Sequence, residues 1–406
     1  MDFNPLSPEF QSNPYVYYGF LRQNMPVFFF ERWGIHFIFR YADCSALLRD
    51  GRLGHELRSI LTPEESATIP RFTPPEQQRA LYDIQSDWML MRDNPFHGRI
   101  RGLVHRAFTP RTVEQLRGKV EKLALDLIRR GKESREFDVV RDLAYPLPVK
   151  VIAELLGVPV SEQDRFTTWS QALVHSFELT EEAAVYDRAS AAAAEMREYM
   201  RGLLNARRAA PQNDLISALA MVEEGGDKLT EHELLSTVIL LLVAGHETTV
   251  NLIGSGTLAF IQHPHQYAKL RANPELARNA VEECLRYDSP VQLTQRRIQA
   301  EGVTASGVTL PRLALIVLML GAANRDPQKF ANPNVFDIER PDAGQHLAFG
   351  SGAHYCLGAP LARLEGEIVF RTMARELPNL DAVSSAPPRY KPTFVLRGLQ
   401  ALTISW

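Results

Sequence analysis

Cysteines and long apolar runs are both scarce in this sequence. Only three of the 406 residues are cysteines, Cys44, Cys284 and Cys356. An odd number at such wide spacing predicts no disulfide framework and favours a reducing compartment. The longest apolar runs, 238–244 and 313–320, fall well short of the roughly 20 residues that a membrane-spanning helix needs. Because the first residues also lack the basic and apolar regions of a signal peptide, we expect a cytoplasmic protein without a membrane segment.

Charge imbalance, internal repeats and cofactor fingerprints are missing as well. The formal net charge is −3 at pH 7, which gives no reason to expect nucleic-acid binding. No Gly/Ser linker or repeat divides the chain, and its 45% hydrophobic and 23% charged residues are typical of a globular protein with a sizeable core. We expect residues 1–406 to form a single domain and the protein to be a monomer. With no flavin or nicotinamide fingerprint and no CxxC cluster, electrons for any redox chemistry must come from partner proteins.

Helical patterns dominate, so the predicted fold class is mainly α with small β-sheets. The predicted helices are 14–22, 42–49, one that opens at 93–97 and ends at Pro110, 116–130, 149–156, 162–176, 181–208, 230–262, 274–287 and 357–377. The strand-like runs are 27–31, 34–40, 290–298, 303–310, 313–320, 393–396 and 399–406. The segment 51–78 loses periodicity and is rich in proline, which predicts a long irregular loop of a kind that often carries function.

The longest helical pattern carries residues that do not favour a helix. It starts with capping-box spacing at Thr230 and is apolar nearly all round, so it should be buried through the middle of the molecule. Its centre reads Ala-Gly-His-Glu-Thr-Thr over 244–249, where glycine and threonine oppose helix propensity. Such a conflict indicates function. His246 and Glu247 also begin the HExxH zinc pattern, but residue 250 is valine, which excludes that zinc site.

Cys356 lies in a glycine-rich loop, 349–358, directly before the amphipathic run 357–377. Glycine lets a backbone pass close to a large group or adopt a positive φ. A cysteine at the first turn of a helix is stabilised as thiolate by the helix dipole. A thiolate in a tight glycine loop suits a soft metal, above all haem iron. The alternative is a free buried cysteine, but the glycine spacing and the nearby His354 favour the metal site.

Two further spacings place charged side chains together. His97 and Arg101 are four residues apart on a predicted helix, so they share one face and together favour an anion. Glu283 and Arg286 are three residues apart and can form an ion pair.

Taken together, these residues resemble the cytochrome P-450 haem-thiolate family of the soluble bacterial type. Four motifs of that family occur in order: DxPxHxxxR at Asp93, Pro95, His97 and Arg101; a small residue, Gly, any residue, an acid and Thr at 244–248; ExxR at Glu283 and Arg286; and FxxGxxxCxG at Phe349, Gly352, Cys356 and Gly358. The resemblance runs from about residue 14 to the C-terminus. It implies a large single-domain cytochrome P-450-like fold with a long central helix over the haem.

The resemblance implies haem b (iron protoporphyrin IX) as cofactor and Cys356 as its iron ligand. The implied cofactor contacts are His97, Arg101, Ala244, Gly245, Thr248, Arg296, Phe349, Gly350, His354, Cys356 and Gly358. Among these, His97, Arg101, Arg296 and His354 would pair with the two propionates. Counting back from Gly307 favours Arg297 in place of Arg296, so both arginines remain candidates. Glu283, Arg286 and Arg340 would form a buried charged network on the cysteine side.

The resemblance also assigns catalytic roles on the central helix. Ala244 and Thr248 are i,i+4 and would face the same point above the iron, while Gly245 would leave room for dioxygen. Thr248 would form a hydrogen bond at the oxygen site, and Glu247 would help to relay protons from solvent.

The implied activity is that of a monooxygenase, which inserts one atom of O₂ into an apolar organic substrate. Its electrons would come from a ferredoxin and its reductase, or from a flavodoxin-type donor, with Arg99, Arg106, Arg111 and Arg363 as candidate docking charges. A peroxygenase driven by H₂O₂ is one alternative, although peroxygenases of the family tend to lose the acid–alcohol pair. A non-catalytic haem sensor is another, and it would not need Glu247 and Thr248.

The substrate itself stays open at this stage. The candidate pocket residues are Trp88, Met89, Leu240, Val243, Ala244, Leu293, Phe394 and Val395, together with the region 169–179. These residues indicate an apolar ligand, because none of them carries a charge that could anchor a carboxylate or an amine.

Overall fold

A helix of 32 residues, Glu231–Gln262, runs through the middle of the molecule. It begins at the predicted capping box: the Glu233 N–H donates to Thr230 Oγ1 at 3.2 Å, and the Thr230 N–H donates to the Glu233 carboxylate at 2.8 Å. In the described part of the chain it is the one helix long and apolar enough to cross a membrane. However, 78% of its most apolar 18-residue window is buried inside the molecule, so it is a core helix.

The computed structural model describes residues 3–69, 72–134, 136–178, 182–224 and 226–406. The α-helices are α1 Pro8–Ser12, α2 Pro14–Asn24, α3 Tyr41–Leu47, α4 Pro63–Thr68, α5 Arg79–Gln85, α6 Phe96–Ala107, α7 Pro110–Glu114, α8 Arg117–Glu133, α9 Pro146–Leu156, α10 Gln163–His175, α11 Ala183–Ala209, α12 Leu215–Met221, α13 Glu231–Gln262, α14 Pro264–Ala272, α15 Ala277–Tyr287, α16 Leu320–Ala323 and α17 Ala359–Glu376. The strands are β1 Val27–Phe30, β2 Ile35–Ile38, β3 Leu53–Gly54, β4 Phe137–Asp138, β5 Glu223–Glu224, β6 Asp227–Lys228, β7 Thr294–Ile298, β8 Val303–Ala305, β9 Val308–Leu310, β10 Leu315–Leu318, β11 Asp381–Ala382 and β12 Thr403–Ser405.

The other long helices surround α13. Helices α9, α10, α11, α15 and α17 all pack on it, and their apolar faces form one large core. The largest sheet lies to one side in the order β1-β2-β10-β7-β3, with β10 parallel to β2 and the other pairs antiparallel. A separate aromatic core covers this sheet, where Phe10, Phe37 and Phe394 are buried together. The helical body and the sheet therefore have their own apolar cores.

The mainly α fold with small sheets is confirmed, but several strand predictions are wrong. The run 303–310 is not one strand: it is the hairpin β8–β9, which turns through Ser306 at φ 45° and Gly307 at φ 80°. The run 313–320 contains only β10 and then enters α16. Residues 393–396 form a loop with a single bridge from Leu396 to Val291. Short apolar runs do not reveal where backbone pairing stops, which explains these differences.

The predicted irregular segment 51–78 also needs correction. It contains α4, which is capped by Thr62 and Glu65 in a second capping box. The helix predicted at 181–208 is observed as α11, Ala183–Ala209. Residues 179 and 181, which the sequence analysis placed in a pocket region and at a helix start, lie outside the described residues.

Candidate active site

The cysteine loop is held in shape by its own backbone. The Cys356 N–H donates to the Phe349 carbonyl oxygen at 2.9 Å, which closes the loop. Gly350 and Gly352 adopt φ angles of 68° and 72°, which disfavour any residue with a side chain. A Cβ at Gly352 would also stand 2.6 Å from the Leu48 carbonyl oxygen. Backbone conformation thus favours glycine at both positions, and close packing requires it at Gly352.

The sulfur of Cys356 lies at the start of α17, whose N-cap is Gly358. Burial raises the pKa of the Cys356 thiol. The backbone N–H groups of Gly358 and Ala359 and the positive charges of Arg101 and Arg363 act in the opposite direction and favour the thiolate. These donors and charges would also stabilise the sulfur as a metal ligand, as expected from the sequence.

Three histidines and a buried arginine meet beside this loop. The ring of His97, on α6, lies 4.1 Å from the ring of His354, and the ring of His55 lies 4.7 Å from that of His354. Arg296 on β7 is only 5% exposed, and its positive charge lowers the pKa of all three histidines. The Nε2 atoms of His55 and His97 are buried without a hydrogen-bond partner among the described residues.

The electrostatics of this histidine cluster favour a bound anion. Burial, followed by the charges of the neighbouring bases, lowers the pKa of His354 to about 2 and that of His55 to about 3. Burial also lowers the pKa of Arg296 to about 10, although the carboxylate of Asp93 opposes this shift. Buried bases that disfavour one another's charge, with unpaired nitrogen atoms, fit the two propionates of a haem.

Position 296 rather than 297 belongs to the cluster. Arg297 is half-buried and donates from its NH1 to the Leu313 carbonyl oxygen at 2.7 Å. Arg101 is half-buried, and its NH2 donates to the Tyr355 carbonyl oxygen at 2.7 Å, one residue before Cys356. His55 was not predicted as a site residue, and it lies in the segment 51–78, which had been predicted only as an irregular loop.

Asp93 explains the first residue of the DxPxHxxxR motif. Its carboxylate accepts hydrogen bonds from the N–H groups of His55 and Glu56, both at 2.9 Å, and from Gln299 Nε2 at 2.7 Å. The motif therefore fastens the segment with His55 to the start of α6, which carries His97.

The predicted charged network is fully buried and fully paired. Arg286 donates to the Glu283 carboxylate from Nε at 2.7 Å and from NH2 at 2.8 Å, and both side chains are 0% exposed. Arg340 Nε lies 3.2 Å from the same carboxylate. The remaining guanidinium donors bind backbone carbonyl oxygens between 324 and 335. This arrangement holds the segment before the cysteine loop against α15.

Part of α13 is accessible within a largely buried stretch of the helix. Ala244 is exposed, and Gly245 and Thr248 are half-buried, whereas 242–243, 246–247 and 249–250 are buried. Thr248 Oγ1 donates to the Ala244 carbonyl oxygen at 3.1 Å. A Cβ at Gly245 would stand 3.4 Å from Ile152 Cδ1 on α9, which is ordinary van der Waals contact, so packing does not require a glycine here. Its expected role in leaving room for dioxygen stays a prediction.

Glu247 is buried and connected to the protein surface. Its carboxylate pairs with Lys391 Nζ and accepts a hydrogen bond from the Tyr145 hydroxyl at 3.0 Å. Tyr145 in turn accepts from Nε2 of the exposed Gln171 at 3.0 Å. Burial raises the pKa of Glu247, but Lys391, together with His246 and Tyr145, outweighs burial and leaves that pKa below its usual value. Glu247 is therefore an anion with a polar path toward solvent, and neither Lys391 nor Tyr145 had been predicted to contact it.

The candidate pocket residues divide between the two cores. Trp88, Met89, Leu240 and Val243 are buried in the helical core, and the Trp88 ring lies 5.4 Å from that of Phe177. Leu293 and Phe394 are buried in the aromatic core next to the sheet, with Val395 packed against it. The structure thus does not bring all of these side chains into one cluster, and Ala244 is the exposed member among them.

The candidate docking charges include Arg99 and Arg363, which have close acidic partners. Arg99 pairs with Asp227 and Glu233. Arg363 binds the Glu282 carboxylate with two nitrogens at 2.6 and 2.9 Å, and its guanidinium lies over the ring of Phe349. Arg106 and Arg111 are exposed.

Glu365 was not singled out in the sequence, yet it is buried in α17 at 1% exposure. Burial raises its pKa to about 8, and the nearby Thr249 side chain acts in the opposite direction. Neither carboxyl oxygen has a hydrogen-bond partner among the described residues. The only sequence signal was an acid in the middle of an otherwise apolar helix face.

Comparisons with known proteins agree with this geometry. The family model described as "Cytochrome P450" matches residues 65–396. The polyketide biosynthesis cytochrome P450 PksS of Bacillus subtilis is 40% identical over 99% of this chain and 98% of its own length. The biotin biosynthesis cytochrome P450 of the same organism is 38% identical over 98% of both chains. The crystal structure of P450BioI in complex with a hexadec-9Z-enoic acid ligated acyl carrier protein superposes with a TM-score of 0.89, at 37% identity, over 98% of this chain and 99% of that one.

Proposed function

The chain belongs to the cytochrome P450 family and is a P450 monooxygenase, and we propose that it oxidises an apolar small molecule by hydroxylation or epoxidation with electrons from separate redox proteins. In such a reaction one oxygen atom of O₂ enters the substrate, and the other leaves as water with two electrons and two protons. The observation that supports catalysis over mere haem binding is Glu247. It is a buried anion next to Thr248, with a polar connection to the surface.

The residues of the chain fit haem b, the cofactor of the family. Cys356 would ligate the iron, and the buried group of His97, His354 and Arg296, with Arg101, would hold the propionates. His55 joins the same group and is proposed as a further propionate partner. When bound, the haem supplies a thiolate-ligated iron that activates dioxygen.

The chain's own residues then handle the proton supply. Thr248 places its hydroxyl group on the accessible face of α13, where it can form a hydrogen bond at the oxygen site. Glu247 can accept a proton from the side of Lys391 and Tyr145 and pass it inward, which is general acid–base catalysis through a chain of groups. Both assignments are proposals that the variants in the Discussion test.

For the substrate, we propose an apolar organic molecule. The candidate pocket residues on α13 and next to it are hydrophobic or aromatic, and none of them provides a charge. One relative is named for polyketide biosynthesis and another for biotin biosynthesis. An extended acyl or polyketide chain is thus the first substrate class to examine.

For the electron donor, we propose a ferredoxin with its reductase, or a flavodoxin-type protein, acting in the cytoplasm. The donor must approach the side of Cys356. Helix α7 packs on α17 there. The exposed Arg111 lies in α7, and the exposed Arg106 lies in the last turn of α6. Because both side chains are exposed, Arg106 and Arg111 are candidates for docking an acidic donor.

Isotope labelling tests the proposed function. A panel of fatty acids, polyketide analogues, steroids and terpenoids is first screened for a shift in the haem spin state. A molecule that binds is then incubated with the enzyme, a ferredoxin, its reductase and NADPH under ¹⁸O₂. We expect one ¹⁸O atom in the product. Turnover with H₂O₂ alone, and none with O₂ and reductant, would instead identify a peroxygenase, and binding without any product would identify a sensor.

A further inference from the structure

The carboxylate of Glu178 accepts three consecutive backbone hydrogen bonds from the C-terminal region. The N–H groups of Phe394 and Val395 donate to Glu178 Oε2 at 2.6 and 2.9 Å, and the N–H of Leu396 donates to Oε1 at 3.2 Å. Glu178 lies three residues after α10 ends, so these bonds join segments more than 200 residues apart. Convergent N–H groups of this kind bind a carboxylate well.

The segment that presents these N–H groups, which we call the strap (residues 391–397), is fixed on its other side. The Gln292 N–H donates to the Val395 carbonyl oxygen at 2.9 Å, and the Arg397 N–H donates to that of Pro290 at 2.8 Å. The Phe394 ring is buried against the ring of Phe10, at 5.7 Å. The strap is therefore part of the sheet side of the molecule, and Glu178 approaches it from the helical side.

The segment that carries Glu178 contacts the opposite wall of the candidate pocket. The ring of Phe177 packs on that of Trp88, and Ser176 Oγ accepts a hydrogen bond from Gln85 Nε2 at 3.0 Å. Trp88 belongs to the helical half of the candidate pocket residues, and Phe394 belongs to the sheet half. Glu178 thus connects the two halves that the side chains themselves do not bring together.

The strap also reaches the proposed proton path. Lys391, its first residue, pairs with Glu247 on α13. Burial raises the pKa of Glu178, the charge of Glu247 adds to that rise, and the three N–H groups of the strap lower it. The strap is consequently held by two carboxylates, Glu178 at its centre and Glu247 at its start.

We propose that Glu178 is a positioning residue that fastens the strap to the end of α10 and controls the entry of bulky apolar ligands. The two walls can separate only when its three hydrogen bonds break, so a large ligand enters during such openings, whereas a diatomic ligand does not need them. The inference rests on the proposed function, because it takes the walls on either side of Glu178 to be those of the substrate site.

Ligand-binding kinetics of the holoenzyme test this inference. In the variant Glu178→Gln, we expect the association and dissociation rates of a bulky azole, 4-phenylimidazole, each to rise about tenfold, which corresponds to roughly 1.4 kcal/mol. The rates for cyanide should not change. The matched control is Glu195→Gln, which removes a carboxylate that accepts from Trp169 Nε1 at 2.9 Å between α10 and α11 but does not contact the strap. This control should leave the azole rates unchanged.

Unchanged azole rates in Glu178→Gln would overturn the proposal, and so would an equal rise for azole and cyanide, since that would indicate general loosening. If the variant does not fold, amide hydrogen exchange in the wild-type holoenzyme tests the proposal instead. We expect the amides of 394–396 to exchange by local opening and to slow when the azole is bound, and exchange only by global unfolding would contradict this. The reduced CO complex of Glu178→Gln should keep a thiolate-type Soret band, so failure here is distinguishable from failure of the proposed function.

Discussion

The hydroxyl group of Thr248 donates its proton to the carbonyl oxygen of Ala244, one turn earlier in α13, at 3.1 Å. This bond fixes the rotamer of Thr248 and leaves the lone pairs of its oxygen available to accept a hydrogen bond. Ala244 is exposed and Thr248 half-buried in a largely buried stretch of the helix, so the pair lies on its accessible face. A backbone bond within the helix thus sets the direction of the proposed catalytic hydroxyl before any ligand arrives.

Replacing this hydroxyl should separate oxygen consumption from product formation. In Thr248→Ala, we expect NADPH and O₂ to be consumed at a similar rate, while the fraction of electrons recovered in product falls about a hundredfold, the lower end for loss of a proton-transfer group. The measurement is the ratio of product to NADPH, with H₂O₂ determined in parallel. Thr248→Ser keeps the hydroxyl and should retain most of the coupling. If coupling in Thr248→Ala stayed at the wild-type level, Thr248 would have no part in proton supply.

Arg296 and Arg297 are adjacent on β7, so their variants form a matched test of the histidine cluster. Arg296 is buried with His97 and His354, whereas Arg297 binds the Leu313 carbonyl oxygen outside the cluster. We expect Arg296→Gln to raise the rate of haem transfer to apomyoglobin about tenfold, as for loss of one charge-assisted hydrogen bond, because it removes a counter-charge of the propionates. Arg297→Gln should change that rate by less than about twofold. A larger rise in the rate of haem transfer for Arg297→Gln than for Arg296→Gln would assign the propionate contact to Arg297.

The buried charged network should govern stability more than chemistry. Removing Arg286 takes away the bidentate partner of Glu283 and leaves only Arg340 as a charge partner of this buried carboxylate. We therefore expect Arg286→Ala to lower the free energy of unfolding by about 3–5 kcal/mol and to reduce haem content. Urea denaturation of the apoprotein measures this loss. Arg278→Ala is the control, because Arg278 is 70% exposed where it pairs with Glu367 and should cost about 1 kcal/mol or less. Equal losses of unfolding free energy in the two variants would show that the buried network stabilises the fold no more than the exposed ion pair does.

The pH dependence of stability should reveal Glu365. Burial raises its pKa to about 8 in the folded state, against about 4.3 in an unfolded chain. Between these values the native protein keeps a proton that the unfolded chain has released. The stability that this proton contributes is fully present below the unfolded pKa and is lost as pH rises through about 8.

Denaturation of wild type and Glu365→Gln at a series of pH values measures that contribution. We expect the wild-type free energy of unfolding to fall relative to that of Glu365→Gln, by at most about 1.4 kcal/mol per pH unit, between pH 5 and pH 8. The difference between the two proteins cancels the contribution of every other group. A difference that does not vary with pH would mean that Glu365 ionises as it does in the unfolded chain.

Features that depend on a single short segment could be predicted from the sequence. The Cys356 loop, the ExxR pair and the capped central helix depend on fixed spacings along a single segment, and the structure shows each of them. Contacts between distant segments could not be predicted in this way. Lys391 meets Glu247 from 144 residues away, and His55 meets His354 from an irregular segment without periodicity.

The strand errors have a related cause. The run 393–396 has the composition of a strand, but its three N–H groups bind Glu178 instead of another strand. The choice between pairing with a sheet and binding a side chain depends on what folding brings nearby, and composition does not reveal that.

The spectrum of the reduced protein with CO tests the central claim, that Cys356 is the thiolate ligand of a bound haem. The account predicts the strongly red-shifted Soret band of a thiolate-bound haem in the wild type, and its loss in Cys356→Ala. Cys284→Ala, which changes a cysteine buried in the helical core, should keep the band. A wild-type spectrum without the red shift, or a Cys356→Ala spectrum that retains it, would contradict the account.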